Sequence, residues 1–136
     1  MREAAIALIR RYYDAFNAGD RAGMIACLNQ DVRHDVNEGQ ARIGTAKFRD
    51  FLAHMDRCYA ERLSDLAVMA DAAGARAAAE FVVHGTYLAT DEGLPPARGQ
   101  TYTLPAGAFF TIHEGRIARI TTYYNLREWV RQVSAA

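Results

Sequence analysis

Arg11 to Asp20, RYYDAFNAGD, is the stretch whose reading decides the fold of this 136-residue chain. It closes an amphipathic helix at a Gly-Asp corner. Ala5, Leu8, Ile9, Tyr12 and Phe16 recur on one face at helical spacing, which predicts a first helix over about residues 2 to 18. Gly19 is placed to end that helix in the left-handed conformation that a Cβ disfavours. Asp20 can then accept hydrogen bonds from the free amides of a short second helix, whose apolar residues are Met24, Ile25, Cys27 and Leu28.

Downstream, Val32, His34 and Val36 share one face of an extended segment. Gly44 and Thr45 precede a third helix with Phe48, Phe51, Leu52, Met55 and Tyr59 on one stripe. From Arg62 the period changes to two, predicting strands at about 62–70, 75–90, 100–112 and 116–125. Asp71 to Gly74 and His113-Glu114-Gly115 carry the glycine that tight hairpins need, so successive strands should be antiparallel neighbours. Asp91 to Gln100, with Pro95 and Pro96, reads as a longer loop, either a rigid connection or a lid. Leu126, Trp129, Val130 and Val133 then repeat at helical spacing, giving a last short helix to pack on the sheet. Helices followed by a strand meander predict one α+β domain over residues 1–136.

Sixteen basic and sixteen acidic residues cancel, so the charge balance favours neither nucleic acid nor a membrane surface as partner. A small molecule or a second copy of the chain is the expected partner. Cys27 and Cys58 lie among apolar residues without C-x-x-C spacing, which suits reduced core thiols and a cytoplasmic location. The N-terminal stretch mixes charges with apolar residues and has the length of neither a signal peptide core nor a membrane span. No H-E-x-x-H spacing, phosphate-binding glycine motif or nucleophile elbow occurs, so neither a metal nor a cofactor is expected.

RYYDAFNAGD resembles the first helix of ketosteroid isomerase. HGTYLATDEGLPPARGQ and GRIARITTYYNLREWVRQV resemble the second half of SnoaL-like polyketide cyclases. Over nearly its whole length the chain is thus similar to the nuclear transport factor 2-like, or cystatin-like, superfamily. The resemblance implies a cone, in which a strongly curved antiparallel sheet wraps around helices and encloses a cavity. Isomerases, cyclases, dehydratases, ligand binders and interaction domains share that fold, so it leaves function open. Taken position by position, Tyr12 matches the isomerase tyrosine of the oxyanion hole. The isomerase general-base aspartate falls at Val36 and its protonated aspartic acid at Gly107. The cyclase histidine and aspartate fall at Tyr87 and Thr122. The resemblance therefore implies a pocket that lacks the acid-base pair of either enzyme.

On this alignment the cavity wall would comprise Val32, His34, Val36, Phe81, Val83, Gly85, Tyr87, Pro105, Gly107, Phe109, Ile120, Thr122 and Tyr124, with Phe51 and Met55 from the third helix. An apolar lining with a few convergent polar groups is the usual character of a small-molecule site. His34 reads either as a hydrogen-bonded core histidine or as a base that takes a proton from the carbon next to a carbonyl. Tyr12 would then stabilise the enolate oxygen, assisted by Asp35 or Asn37 if a bulge turns either inward. The expected ligand is a small, apolar, carbonyl-containing molecule. His54 shares a polar helix stripe with Lys47, Asp50 and Arg57, which suggests a solvated or interface role. Val82, Tyr102, Leu104, Ala108, Phe110 and Ile112 are assigned to the outer sheet face, together with His84. So much apolar surface there predicts an isologous homodimer.

Overall fold

A computed structural model describes residues 1–36 and 39–135. Helices α1 (Arg2–Ala18) and α2 (Arg21–Ala26) lead into strands β1 (Leu28–Val36) and β2 (Arg42–Ile43). Helix α3 (Thr45–Cys58) follows, then the meander β3 (Tyr59–Ala70), β4 (Arg76–Tyr87), β5 (Thr101–His113) and β6 (Arg116–Tyr124), and last α4 (Leu126–Ser134). The strands form one sheet in the order β2-β1-β6-β5-β4-β3. All neighbours are antiparallel except β1 and β6, which run parallel. The sheet is the curved antiparallel one that the resemblance implies, with a single parallel pairing, that of β1 with β6. β1 precedes the meander in the chain, yet its partner is the meander's last strand.

The corner at Gly19 forms as its residue types require. Gly19 has φ 71°, and its amide and that of Asp20 return to the carbonyls of Phe16 and Ala15. Asp20 caps α2 by accepting from the Gly23 amide at 2.8 Å. Asn17 is exposed, yet its side chain fastens α1 to β3. Nδ2 donates to the Leu63 carbonyl at 3.0 Å and Oδ1 accepts from the Leu63 amide at 2.8 Å. Just beyond, β3 breaks register between Ser64 and Ala67, where Asp65 takes φ 56°. The bulge bends the strand and increases its twist, which curls this end of the sheet around α1. Tyr13 of α1 packs on Phe81 and Phe110, with ring centroids 5.1 and 6.0 Å apart, so the helix lies against the concave face.

Three boundaries or faces differ from the sequence reading. Tyr59 begins β3 instead of ending the α3 stripe, so the strand starts three residues before Arg62. On β5 the inward set is Tyr102, Leu104, Ala106, Ala108 and Phe110. Their partners across β4 include Val83, Phe81 and Ala79, which are buried. Pro105, Gly107 and Phe109 therefore belong to the outer face, and Phe109 is 47% exposed. Tyr102, Leu104, Ala108 and Phe110 leave the outer face for the core, so that face holds less apolar surface than expected. The hairpins match: Glu114 and Gly115 both take positive φ, as the tight two-residue turn between β5 and β6 demands. Cys27 and Cys58 are free and buried. No helix among the described residues is long and apolar enough to cross a membrane.

The Asn17 bonds make a quantitative expectation. Asn17→Ala removes two hydrogen bonds and leaves the Leu63 backbone groups without them. The unfolding free energy should fall by about 2 kcal/mol, read from urea denaturation at constant slope.

Candidate functional site

The concave face of the sheet, α1 and α3 enclose a cavity of about 770 Å³. That is within the range that holds a drug-sized molecule. Tyr12, Tyr13 and Phe16 enter from α1, Phe51, Leu52 and Met55 from α3, and Leu63, Phe81, Val83, Leu104 and Ala106 from the meander. Trp129 of α4 and Leu94 of the loop after β4 also line it. The polar contribution is Tyr12, His34, Tyr59, Glu61, Thr122 and Tyr124, with a charged rim of Arg21, Arg42, His54, Asp56, Asp91 and Glu92.

Of the residues singled out in the sequence, Tyr12, His34, Val36, Phe51, Met55, Thr122 and Tyr124 line this cavity. Four do not. Asp35 points to the outer face, where Arg33 lies 3.1 Å away and the Thr121 hydroxyl donates to it at 3.1 Å. The irregularity in β1 comes before Arg33, so nothing turns Asp35 inward. Gly107 and Phe109 are on the outer side by the parity of β5. Tyr87 is fully buried behind Tyr59 and Trp129, at ring distances of 5.5 and 4.9 Å. Its hydroxyl is committed, donating to the Pro95 carbonyl at 2.6 Å and accepting from the Asp91 amide at 2.9 Å. Tyr87 thus anchors the loop, which Gln100 and Arg98 also tie to α4 through the Val133 carbonyl. The rigid-connection reading of this loop accounts for those bonds. Asn37 lies outside the described residues.

His34 is only 6% exposed and sits edge-on between Phe48 and Phe51, with ring centroids 5.0 and 4.5 Å away. Burial, reinforced by Arg42 and partly opposed by Asp35, lowers its pKa to about 4. It is neutral at pH 7 and a weaker base than the near-neutral imidazole expected from sequence. Burial has the opposite effect on Tyr12, raising its pKa with a smaller contribution from Cys27, so its hydroxyl remains a proton-bearing donor. That hydroxyl has no hydrogen-bond partner among the described residues.

Two polar clusters escaped the sequence reading. At the rim, Asp91 accepts from the Tyr59 hydroxyl at 2.7 Å and meets His54 Nε2 at 3.0 Å, while Arg57 reaches His54 Nδ1 at 3.0 Å. His54 is therefore built into the cavity mouth and not merely solvated. The donor atoms of His54, Cys58 and Asp91 all lie within 4.8 Å of one another, a grouping that linear spacing could not reveal because Asp91 comes from the loop. Arg57, a donor, faces Nδ1, so Nε2 carries the proton and points it at Asp91. To hold a metal these residues would have to exchange that hydrogen bond for coordination. Deeper in, Tyr102 donates to Glu61 at 2.6 Å. The alternation Tyr59, Glu61, Leu63 was the available signal, hidden by starting β3 at Arg62.

The geometry is that of a hollow α+β cone with a ligand-sized chamber, and residues 9–120 match the SnoaL-like domain model. The chain belongs to the SnoaL-like family. It is 60% identical to a candidate polyketide cyclase from Pseudomonas putida KT2440, covering 96% of this chain and 98% of that one, with a TM-score of 0.94. A candidate polyketide cyclase from Silicibacter sp. TM1040 is 58% identical, with coverage of 98% and 97% and a TM-score of 0.95. TerC, co-crystallised with polyporic acid, shares the fold at 19% identity, with coverage of 97% and 98% and a TM-score of 0.77. No curated protein matches the chain.

The His34 environment predicts a pH dependence of stability. The unfolded imidazole has its ordinary pKa of about 6.5, whereas the folded one is at about 4. Between these values the unfolded chain binds more protons, so stability is lost as pH falls from about 6.5 toward about 4. The loss from this group should be about 3 kcal/mol. Urea unfolding of His34→Gln between pH 7 and pH 4 should show a fall smaller by that amount than the wild type.

Proposed function

We propose that the chain binds a small, apolar, carbonyl-bearing molecule and moves a proton next to that carbonyl without a cofactor, as an isomerase, cyclase or lyase does. The observation that carries this reading is the Tyr12 hydroxyl, held protonated in the wall of an otherwise largely apolar chamber of about 770 Å³. A donor preset in a dry cavity stabilises charge developing on a carbonyl oxygen far more than water would. The polyketide cyclase descriptions of relatives at 60% and 58% identity support a substrate carrying carbonyl groups. His34 faces the same chamber as an uncharged imidazole that can accept a hydrogen bond from the substrate. As a proton acceptor it is handicapped by about 3 kcal/mol relative to an imidazole in water.

A second reading, ligand binding without catalysis, draws on that handicap and on the absence of carboxylates at Val36, Gly107 and Thr122. Proton exchange separates the two. Anthrone and β-tetralone, ketones with acidic C–H bonds, are incubated with the chain in D2O and followed by NMR, with displacement of Nile red reporting occupancy. Catalysis predicts exchange above the buffer rate, reduced by about 100-fold or more in Tyr12→Phe. Occupancy with no exchange establishes the binding reading. Ala106→Phe, which fills the chamber, should abolish Nile red binding in either case.

The outer face supports an isologous dimer, on a narrower patch than the sequence suggested. Phe109 and Tyr123 are 47% and 51% exposed, and their rings lie 5.8 Å apart, with Val82 on the same face. Light scattering at micromolar concentration should give a dimer, and Phe109→Asp should shift the mass to one chain. A wild-type monomer would remove this assignment.

A further inference from the structure

Glu61, Gly85 and Tyr102 are direct cross-strand neighbours on β3, β4 and β5. A Cβ on Gly85 would lie 2.1 Å from Cζ of Tyr102, so the tyrosine ring occupies the space that a β4 side chain would need. The Tyr102 hydroxyl thereby crosses a whole strand and donates to Oε2 of Glu61 at 2.6 Å. Glu61 lines the cavity, and its Oε1 has no hydrogen-bond partner among the described residues. One carboxyl oxygen is held and the other is left for a ligand.

We propose that Glu61 is the proton-transferring carboxyl of this cavity, acting on substrates with an acidic C–H next to a carbonyl, and that Tyr102 is its positioning residue. This rests on the proton-transfer reading above. The Glu61 carboxylate takes the proton from the carbon next to the carbonyl. The C–H electron pair moves into the enolate and onto the carbonyl oxygen. The proton then returns from the Glu61 carboxylic acid to another carbon of the enolate system, so the cycle consumes no oxidant, reductant or water.

The surroundings favour this carboxyl over His34. Burial raises the Glu61 pKa, with the Tyr102 hydrogen bond and the positive charge of Arg21 as smaller opposing influences. Burial disfavours the charged form of both groups, so it strengthens the Glu61 carboxylate as a base and weakens the His34 imidazole. The groups around it are Tyr102 from β5, Arg21 from α2 and Tyr59 on its own strand, with Trp129 of α4 against the Tyr102 ring at 5.9 Å. Arg21 is itself engaged by Asp56 of α3 at 2.6 Å, which limits its pull on Glu61.

The test compares wild type, Glu61→Gln and Tyr102→Phe in D2O exchange of anthrone and β-tetralone, with Nile red binding as the check on folding and occupancy. Glu61→Gln keeps an acceptor for Tyr102 and should bind Nile red with unchanged affinity while losing at least about 100-fold in exchange rate. Tyr102→Phe should move the midpoint of the pH-rate profile upward, because the lost hydrogen bond favours the carboxylate; a purely structural tyrosine would leave it in place. Exchange by Glu61→Gln at the wild-type rate overturns the role of Glu61 but leaves proton transfer to other groups. Nile red binding by the wild type with no exchange of either ketone overturns both.

Discussion

The paired hydrogen bonds between the Asn17 side chain and the Leu63 backbone hold the molecule in its hollow form. Helix α1 lies against the concave face, where Tyr13 packs on Phe81 and Phe110. An amide side chain offers one donor and one acceptor in the spacing of a peptide group, so Asn17 pairs with a strand residue as another strand would. The contact comes immediately before the bulge at Ser64 to Ala67, where β3 changes direction. Anchoring the strand at its bend, instead of in a straight stretch, fixes both the distance from helix to sheet and the curl. The remaining gap between α1, α3 and the concave face is the cavity.

That cavity is chemically asymmetric. Its inner wall is largely apolar and its mouth charged, and burial shifts His34, Tyr12 and Glu61 away from their charged forms. Burial leaves the His34 imidazole unprotonated and Tyr12 with its phenolic proton. Glu61 is displaced toward its neutral acid. A charge placed against the apolar side chains, the neutral imidazole and the phenol of the inner wall would surrender hydration there, whereas the rim offers counter-charges of both signs.

Most of the architecture was legible because it depends on local signals. Gly19 and Asp20 fix one helix end and the next helix start, and alternation marks the meander. Legibility failed where a second pattern fitted equally well. Tyr59 lies four residues after Met55 and so extends the α3 stripe, but it also stands two before Glu61 and four before Leu63, which is strand spacing. With no glycine or proline at Cys58 to mark the change, the helical pattern runs on into the strand and masks Glu61. On β5 the chain's own alternation of Tyr102, Leu104, Ala106, Ala108 and Phe110 competes with the inward position that the isomerase resemblance implies for Gly107. The parallel pairing of β1 with β6 joins segments far apart in sequence and leaves no local trace. Nor could the low pKa of His34 be read without knowing that Phe48 and Phe51 enclose it.

The same sheet is blunted at a point on each of its two edges. β2 contributes only two residues, Arg42 and Ile43, too few to template another strand. At the opposite end, the backbone groups of Leu63 that a neighbouring chain would seek are already occupied by Asn17, and Asp65 twists the strand out of line directly after them. Edges blunted in this way resist the strand-by-strand addition that leads to fibrillar aggregates. Asn17 is therefore also a guard on the chain's solubility, and its loss would offer an unpaired strand edge to any other partly opened copy.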